Sequence, residues 1–154
     1  MEIRIFWPSN DDTLRKGGIT DLIMQLPGDE REAAIKQLQT YRYDLKEMEY
    51  STKVLCADCE NSYGDQNSII AYTLYRKSWI RPNTFEIAQT LVSENYRNRG
   101  VAKQLRKATF DDIRFRGGNY IISATKDTSH MKDASRIDWL PDGWKIMARW
   151  LNFS

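Results

Sequence analysis

Apolar and polar positions alternate from Glu2 to Trp7, with Ile3, Ile5 and Trp7 set against Glu2, Arg4 and Phe6 ahead of Pro8. A period of two is the spacing of a half-buried strand, and proline closes it. Ser9-Asn10-Asp11-Asp12 then offers several helix N-caps. Leu14, Ile19, Leu22, Ile23 and Leu26 follow, mostly three and four apart around a Gly17-Gly18 break, and predict one interrupted helix stopping before Pro27-Gly28. Asp29-Glu30-Arg31-Glu32 puts acid in the first turn of a second helix, where the macrodipole favours it. Its apolar stripe is Ala34, Ile35, Leu38, Tyr41 and Leu45.

Strand signals return at Thr52–Asp58, 68–80 and 85–92, with a turn-rich loop at 61–67 and a tight turn at Arg81-Pro82-Asn83. From Val101 to Phe115 the spacing is helical again, with Ala102, Leu105, Thr109 and Ile113 on one face and Val101 and Ala108 beside them. Gly117-Gly118 stops that helix. Residues 120–124 read as a buried strand, 128–139 as a short helix, Pro141-Asp142-Gly143 as a turn, and 144–153 as a last strand. The expected order is β-αα-βββ-α-β-α-β, an α+β chain with no linker or repeat.

At 154 residues the chain is one domain long, 1–154, since domains run to roughly 100–200 residues. With 41% hydrophobic and 29% charged residues it has too much apolar side chain for disorder. No apolar stretch is long enough to span a membrane, and Met1-Glu2-Ile3-Arg4 lacks the basic-then-apolar order of a signal peptide, so a cytoplasmic location is expected. The net charge of +2 conceals a lopsided distribution: residues 1–67 hold eight Lys and Arg against thirteen Asp and Glu, and residues 68–154 hold fifteen against eight. The halves therefore carry −5 and +7, as when one half meets an anion.

Cys56 and Cys59 are spaced C-x-x-C, a spacing shared by redox pairs and half zinc sites. Zinc normally takes four ligands, and the sole histidine, His130, comes with no third cysteine, so the pair reads as two ordinary reduced thiols and no metal is expected.

The informative stretch is Arg97-Asn98-Arg99-Gly100-Val101-Ala102, where a strand and short loop give way to a helix. A glycine there lets backbone approach a ligand, and the unpaired N–H groups of the first helical turn favour anions. Arg97, Arg99 and Lys103 add positive charge, which together makes a diphosphate cradle. Arg97-x-x-Gly100-x-Ala102 resembles motif A (Q/R-x-x-G-x-G/A) of the GNAT acetyltransferase superfamily, and the strand before it and the helix after it match that motif's setting. The resemblance implies a GNAT-like fold, a mixed central sheet with helices on both faces.

It also implies acetyl-CoA as co-substrate. The amides of Arg97, Asn98, Arg99, Gly100, Val101 and Ala102 would hold the diphosphate with Lys103 nearby, and the backbone of Leu91 and Val92 would pair with the pantetheine arm. The reaction is then attack of an amine on the thioester, which requires a base, because an amine near neutral pH is mostly protonated. Glu86 is the candidate, eleven residues before Arg97, as in histone-acetyltransferase-type members; residues 86, 88, 90 and 92 share a strand face, so it is expected on the side that Val92 uses, the alternative being an exposed hairpin glutamate.

Where many members carry an acidic tyrosine, four residues before a Gly-Phe pair, Trp139 stands here before Gly143-Trp144. Indole N–H is a donor but not an acid. Asp138, Ser135 or His130 is left to protonate the thiolate, unless water does so or the protein is not catalytic. In this family the helices after the first strand wall the acceptor side. Asp29, Glu30, Glu32, Asp44, Glu47 and Glu49, with Trp7, Tyr41, Tyr43 and Tyr50, would there suit a cationic amine, the alternative being a solvated helix face with its aromatics in the core. The expected partners are acetyl-CoA and an amine acceptor, with a homodimer left open and no membrane. A pI near 8.5 without a groove-reading motif argues against nucleic acid.

Overall fold

β-Branched and aromatic residues concentrate in 69–77 and 84–92, and both runs form central strands. The computed structural model describes residues 2–7, 22–40, 52–58, 69–78, 81–125, 135–139 and 145–151. Its strands are β1 (Ile3–Phe6), β2 (Thr52–Asp58), β3 (Ile69–Lys77), β4 (Thr84–Val92), β5 (Tyr120–Thr125), β6 (Ser135–Trp139) and β7 (Lys145–Trp150). Helix α1 (Gly28–Thr40) precedes β2, and α2 (Val101–Phe115) joins β4 to β5; residues 22–25 are also helical. The strands form one sheet in the order β1-β2-β3-β4-β5-β7-β6. Only the β4–β5 pair is parallel, because α2 carries the chain back across the sheet between them.

Alternation along β3 sends Tyr72 and Leu74 to one face and Ala71 and Tyr75 to the other, and each face has its helix. Leu38 of α1, with Leu22 and Ile23, packs on Tyr72, Leu74 and Ala88. On the other face α2 buries Val101, Leu105, Thr109 and Ile113, successive steps of four, against Ala71, Tyr75, Phe85 and Ile121, with Val101 rather than Ala102 fully buried. Ile35, expected in the α1 stripe, is instead exposed, and Tyr41 and Leu45 lie outside the described residues. The Trp7 indole Nε1 donates to the Tyr75 hydroxyl at 2.7 Å, and that hydroxyl donates to Asp112 at 2.7 Å. The chain ties β1 through β3 to α2. Burial, with the Asp112 carboxylate beside it, pushes the Tyr75 phenol well above its ordinary range.

The helix expected over 128–139 is corrected at its C-terminal end, where residues 135–139 are β6, paired antiparallel with β7 from Ser135↔Ala148 to Trp139↔Lys145. Ser135-Arg136-Ile137-Asp138-Trp139 alternates with a period of two, and Pro141-Asp142-Gly143 in the connection is a turn signal. Pairing with a neighbouring strand decided what local spacing left ambiguous. Residues 126–134 lie outside the described set.

After α2, Gly117 takes a left-handed conformation (φ 85°). At Gly118 the constraint is space: a Cβ there would lie 2.7 Å from Phe85 Cδ2 and closer still to Ile113 Cγ2. Gly118→Ala therefore forces the α2–β4 contact apart and should lower stability by about 1–3 kcal/mol. A lower urea midpoint with unchanged far-ultraviolet dichroism is the expected result; an unchanged midpoint would show that Phe85 and Ile113 move aside freely.

Candidate active site

Strand β4 has β3 beside it along its length but β5 beside only its first half. The parallel ladder runs from Thr84↔Tyr120 to Ile87↔Ser123, and among the described residues no strand pairs with β4 beyond it on that side. Near the same level β4 bulges: Gln89 lies opposite Leu74 and Ile87 opposite Tyr75, leaving Ala88 as the extra residue. Beyond the bulge, Ser93 N–H donates to Ile70 O at 2.7 Å. Alternate residues of an extended strand turn their N–H groups to the same side. Leu91 therefore turns its backbone toward β3, and Thr90 and Val92 turn theirs toward the opening.

The bulge also resets the side-chain faces. Phe85, Ile87 and Val92 pack toward α2, while Ala88 and Leu91 pack toward α1. Glu86, opposite Arg76, lies on the α1 side of β4. The expectation that Glu86 shares a face with Val92 is thereby corrected, since strict alternation does not survive an inserted residue.

The turn from β4 to α2 passes through a 3₁₀ segment (Glu94–Tyr96) and then two left-handed residues, Asn98 (φ 61°) and Gly100 (φ 80°). Gly100 is the N-cap of α2 and brings no side chain to it, so the first N–H groups of the helix have no acceptor within the helix or from their cap. No protein atom would meet a Cβ at Gly100 within 4 Å, which leaves open space in front of these amides. Arg97 serves differently from the rest of the turn. Its N–H bonds Glu94 O at 3.3 Å and its Nε bonds Val92 O at 3.1 Å. Its two terminal nitrogens grip both oxygens of Glu30 on α1, each at 2.9 Å. Arg97 is thus a clamp joining α1, β4 and the turn.

These elements enclose a cleft of about 770 Å³, within the range of small-molecule sites. Of the residues singled out from sequence, Leu91, Val92, Arg97, Asn98, Gly100, Val101, Ala102 and Lys103 line it, and Arg99 lies outside, over the Tyr96 ring. Glu86 does not line it; it is buried, with Oε2 held by Arg76 Nε at 3.0 Å. Asp138 sits on β6 opposite Ile146, its side chain outside the described set, as is His130. Cys56 is on β2, Cys59 is not described, and no metal-binding cluster occurs among the described residues. Of the acidic residues expected to wall an acceptor, Glu30 is occupied by Arg97, Asp29 and Glu32 are exposed, and Asp44, Glu47 and Glu49 are not described. Arg106, one of the basic residues of the positive half, lines the cleft too, as do Gln89 and Thr90, two residues not foreseen at the site. Their signal was the polar Gln89-Thr90 pair inside an apolar strand, just after the alternation breaks at Ile87-Ala88.

The model of the GNAT acetyltransferase family matches residues 21–134, and the chain belongs to that family. Among solved structures, an acetyltransferase of the GNAT family from Staphylococcus aureus has 14% identity and a TM-score of 0.64, over 98% of this chain and 100% of that one. The NatC complex bound to Gag peptide and CoA aligns at 16% identity and a TM-score of 0.67, over 99% and 100%. N-acetylglutamate synthase from Neisseria gonorrhoeae, complexed with coenzyme A and N-acetyl-glutamate, aligns at 15% identity and a TM-score of 0.63, over 99% of this chain and 36% of that one. At such identities the likeness is one of fold. No curated protein matches the chain by sequence.

The Arg97 hydrogen bonds hold the Glu30 carboxyl below its ordinary value of 4.5. A carboxyl lowered in the folded state stabilises above its unfolded value and loses that contribution as pH falls through the folded one. Glu30→Gln should therefore melt below the wild type at about pH 7, with the gap closing as pH falls below 4.5. A gap independent of pH would show that the clamp's charge contributes nothing.

Proposed function

We propose that the chain is an N-acetyltransferase that moves an acetyl group from acetyl-CoA to a primary amine by direct attack in a ternary complex, working as one domain in the cytoplasm. The observation that carries this reading is one cleft running from an open strand edge to an uncapped helix N-terminus. An acyl-CoA offers a diphosphate, then an arm bearing two amides, then a thioester. The N–H groups of Gly100, Val101 and Ala102, with Lys103 and Arg106, suit the diphosphate. The outward N–H groups of Thr90 and Val92 and the carbonyl of Thr90 suit the amides as an added strand would, Val92 O being held by Arg97. When bound, the co-substrate supplies an activated acyl carbon; the chain's part is to orient it, exclude water and manage protons.

A base has to take the proton of the incoming ammonium. We assign this to Glu86 acting through water, since it lies on the α1 side of β4 one residue before the ladder ends. The acceptor is a small amine or a protein amine, and the exposed Asp29 and Glu32 on α1 favour a cationic one. Two solved structures of similar fold hold CoA, one with Gag peptide and one with N-acetyl-glutamate, which supports leaving both acceptor sizes open. A second reading is a protein that binds acyl-CoA without turning it over. It is favoured by the described lining, which holds no carboxylate or imidazole.

Calorimetry with acetyl-CoA should show binding, and Gly100→Glu should abolish it by placing a carboxylate in the diphosphate site; unchanged affinity would remove the cradle. Thiol release against a panel of amines separates the two readings. Glu86→Gln should lower kcat about 100-fold near neutral pH, with the loss shrinking as pH rises and the amine deprotonates unaided. A loss that is the same at every pH would remove Glu86 as base.

A further inference from the structure

The bulge that aims β4 into the cleft is held by a side chain with no place in the chemistry above. Gln89 is 1% exposed and both ends of its amide are committed inside the protein. Its Oε1 accepts from the Tyr72 hydroxyl, and its Nε2 donates to Ala34 O of α1 at 3.0 Å. Burial drives the Tyr72 phenol far above its ordinary range and keeps its proton on, and because an amide oxygen only accepts, the hydroxyl is the donor here. Gln89 is also a bulge residue, sharing Leu74 with Ala88. A buried amide with both partners satisfied fixes its own backbone in rotation and depth. That backbone leads directly into Thr90, whose N–H is the first to face the opening beyond Ile87↔Ser123.

We propose that Gln89 is a positioning residue for acyl transfer, clamped by Tyr72 and Ala34 so that the bulge aims the Thr90 N–H into the cleft as a donor to the reacting carbonyl. This rests on the acyl-CoA reading. It makes Gln89 a residue whose loss leaves the diphosphate cradle intact and misdirects the donor. Gripping the anion and stabilising developing charge then fall to different residues of one strand-turn-helix unit. A donor pre-aimed in this way needs no reorganisation when charge develops.

The test is Gln89→Leu, with Tyr72→Phe removing only the donor to Oε1. Both should lower kcat at saturating acetyl-CoA by about tenfold or more while the Kd for CoA changes by less than about threefold. An unchanged kcat, or equal losses in kcat and affinity, would overturn the assignment. Asp112→Ala, which removes the acceptor of the Tyr75 hydroxyl away from the cleft, should keep its kcat, and a matching loss there would reduce Gln89 to general support. In Gln89→Glu the carboxylate meets the Ala34 carbonyl, but once protonated it can donate to that oxygen and still accept from Tyr72. Its kcat relative to wild type should therefore climb as pH falls, and a flat ratio would refute the hydrogen-bond account. If the wild type binds no acetyl-CoA the functional reading fails by itself. Amide exchange then decides the clamp: Gln89→Leu should speed exchange across 88–92 about tenfold and leave 101–115 protected, and equal exchange in both would overturn it.

Discussion

A backbone N–H or C=O that leaves one partner must find another or face water. The arrangement around β4 follows from that constraint. Its bonds to β3 persist throughout, whereas its bonds to β5 end at Ile87↔Ser123. Beyond that point the strand can neither close onto β5 nor roll away from β3. The edge is therefore held open, and its donors and acceptors, apart from Val92 O, which Arg97 holds, lie at fixed intervals along a cleft wall. An extended ligand with amides at strand-like spacing can replace the missing strand. The bulge sets which residues present those groups, exchanging Gln89 and Leu91 for Thr90 and Val92.

Keeping the strands apart requires supports on both faces. On the α2 side Phe85 and Ile121 pack with Val101, Leu105 and Ile113, fixing the paired half of the ladder and the helix that starts at Gly100. On the α1 side two polar attachments complement the apolar contact. Gln89 binds Ala34 O near the middle of α1, and Arg97 grips Glu30 in its first turn. The exposed ion pair adds little energy by itself, as surface pairs usually do. Its geometry matters more, because the same guanidinium also holds Val92 O. One side chain thereby sets the distance between the end of β4 and the turn that begins α2.

Much of this was legible in the residues. The motif 97–102, the strand before it and the face of α2 all follow from local spacing, because glycine, basic residues and a helical stripe each act over a few positions. The β4 bulge was not deduced, although Ile87-Ala88 breaks the alternation, because inserting a residue is a decision between two strands. The same holds for 135–139, where a helix-compatible spacing became β6 once β7 lay alongside. Arg97 is the instructive case. Its residue type and position pointed to anion binding, and its partner lies 67 positions away on α1, a separation no local pattern encodes.

That pairing changes what the charge asymmetry means. The acidic half and the basic half meet at Glu30 and Arg97, and the contact neutralises the arginine of the motif and the acid at the helix start together. The electrostatics of the cleft then come from the other cations of its lining, Lys103 and Arg106 on α2 and Arg149 on β7, together with the uncapped helix N-terminus. A dipole end and the Lys103 point charge favour an anion without demanding one rigid geometry, whereas the Arg97 fork, bound to both oxygens of Glu30, imposes one. That fork is committed to Glu30, where rigidity is useful, and the other cations of the lining are left for an anion. Distance along one turn thus separates structure from recognition: Arg97 holds the scaffold, and the amides from Gly100 onward are left for the anion.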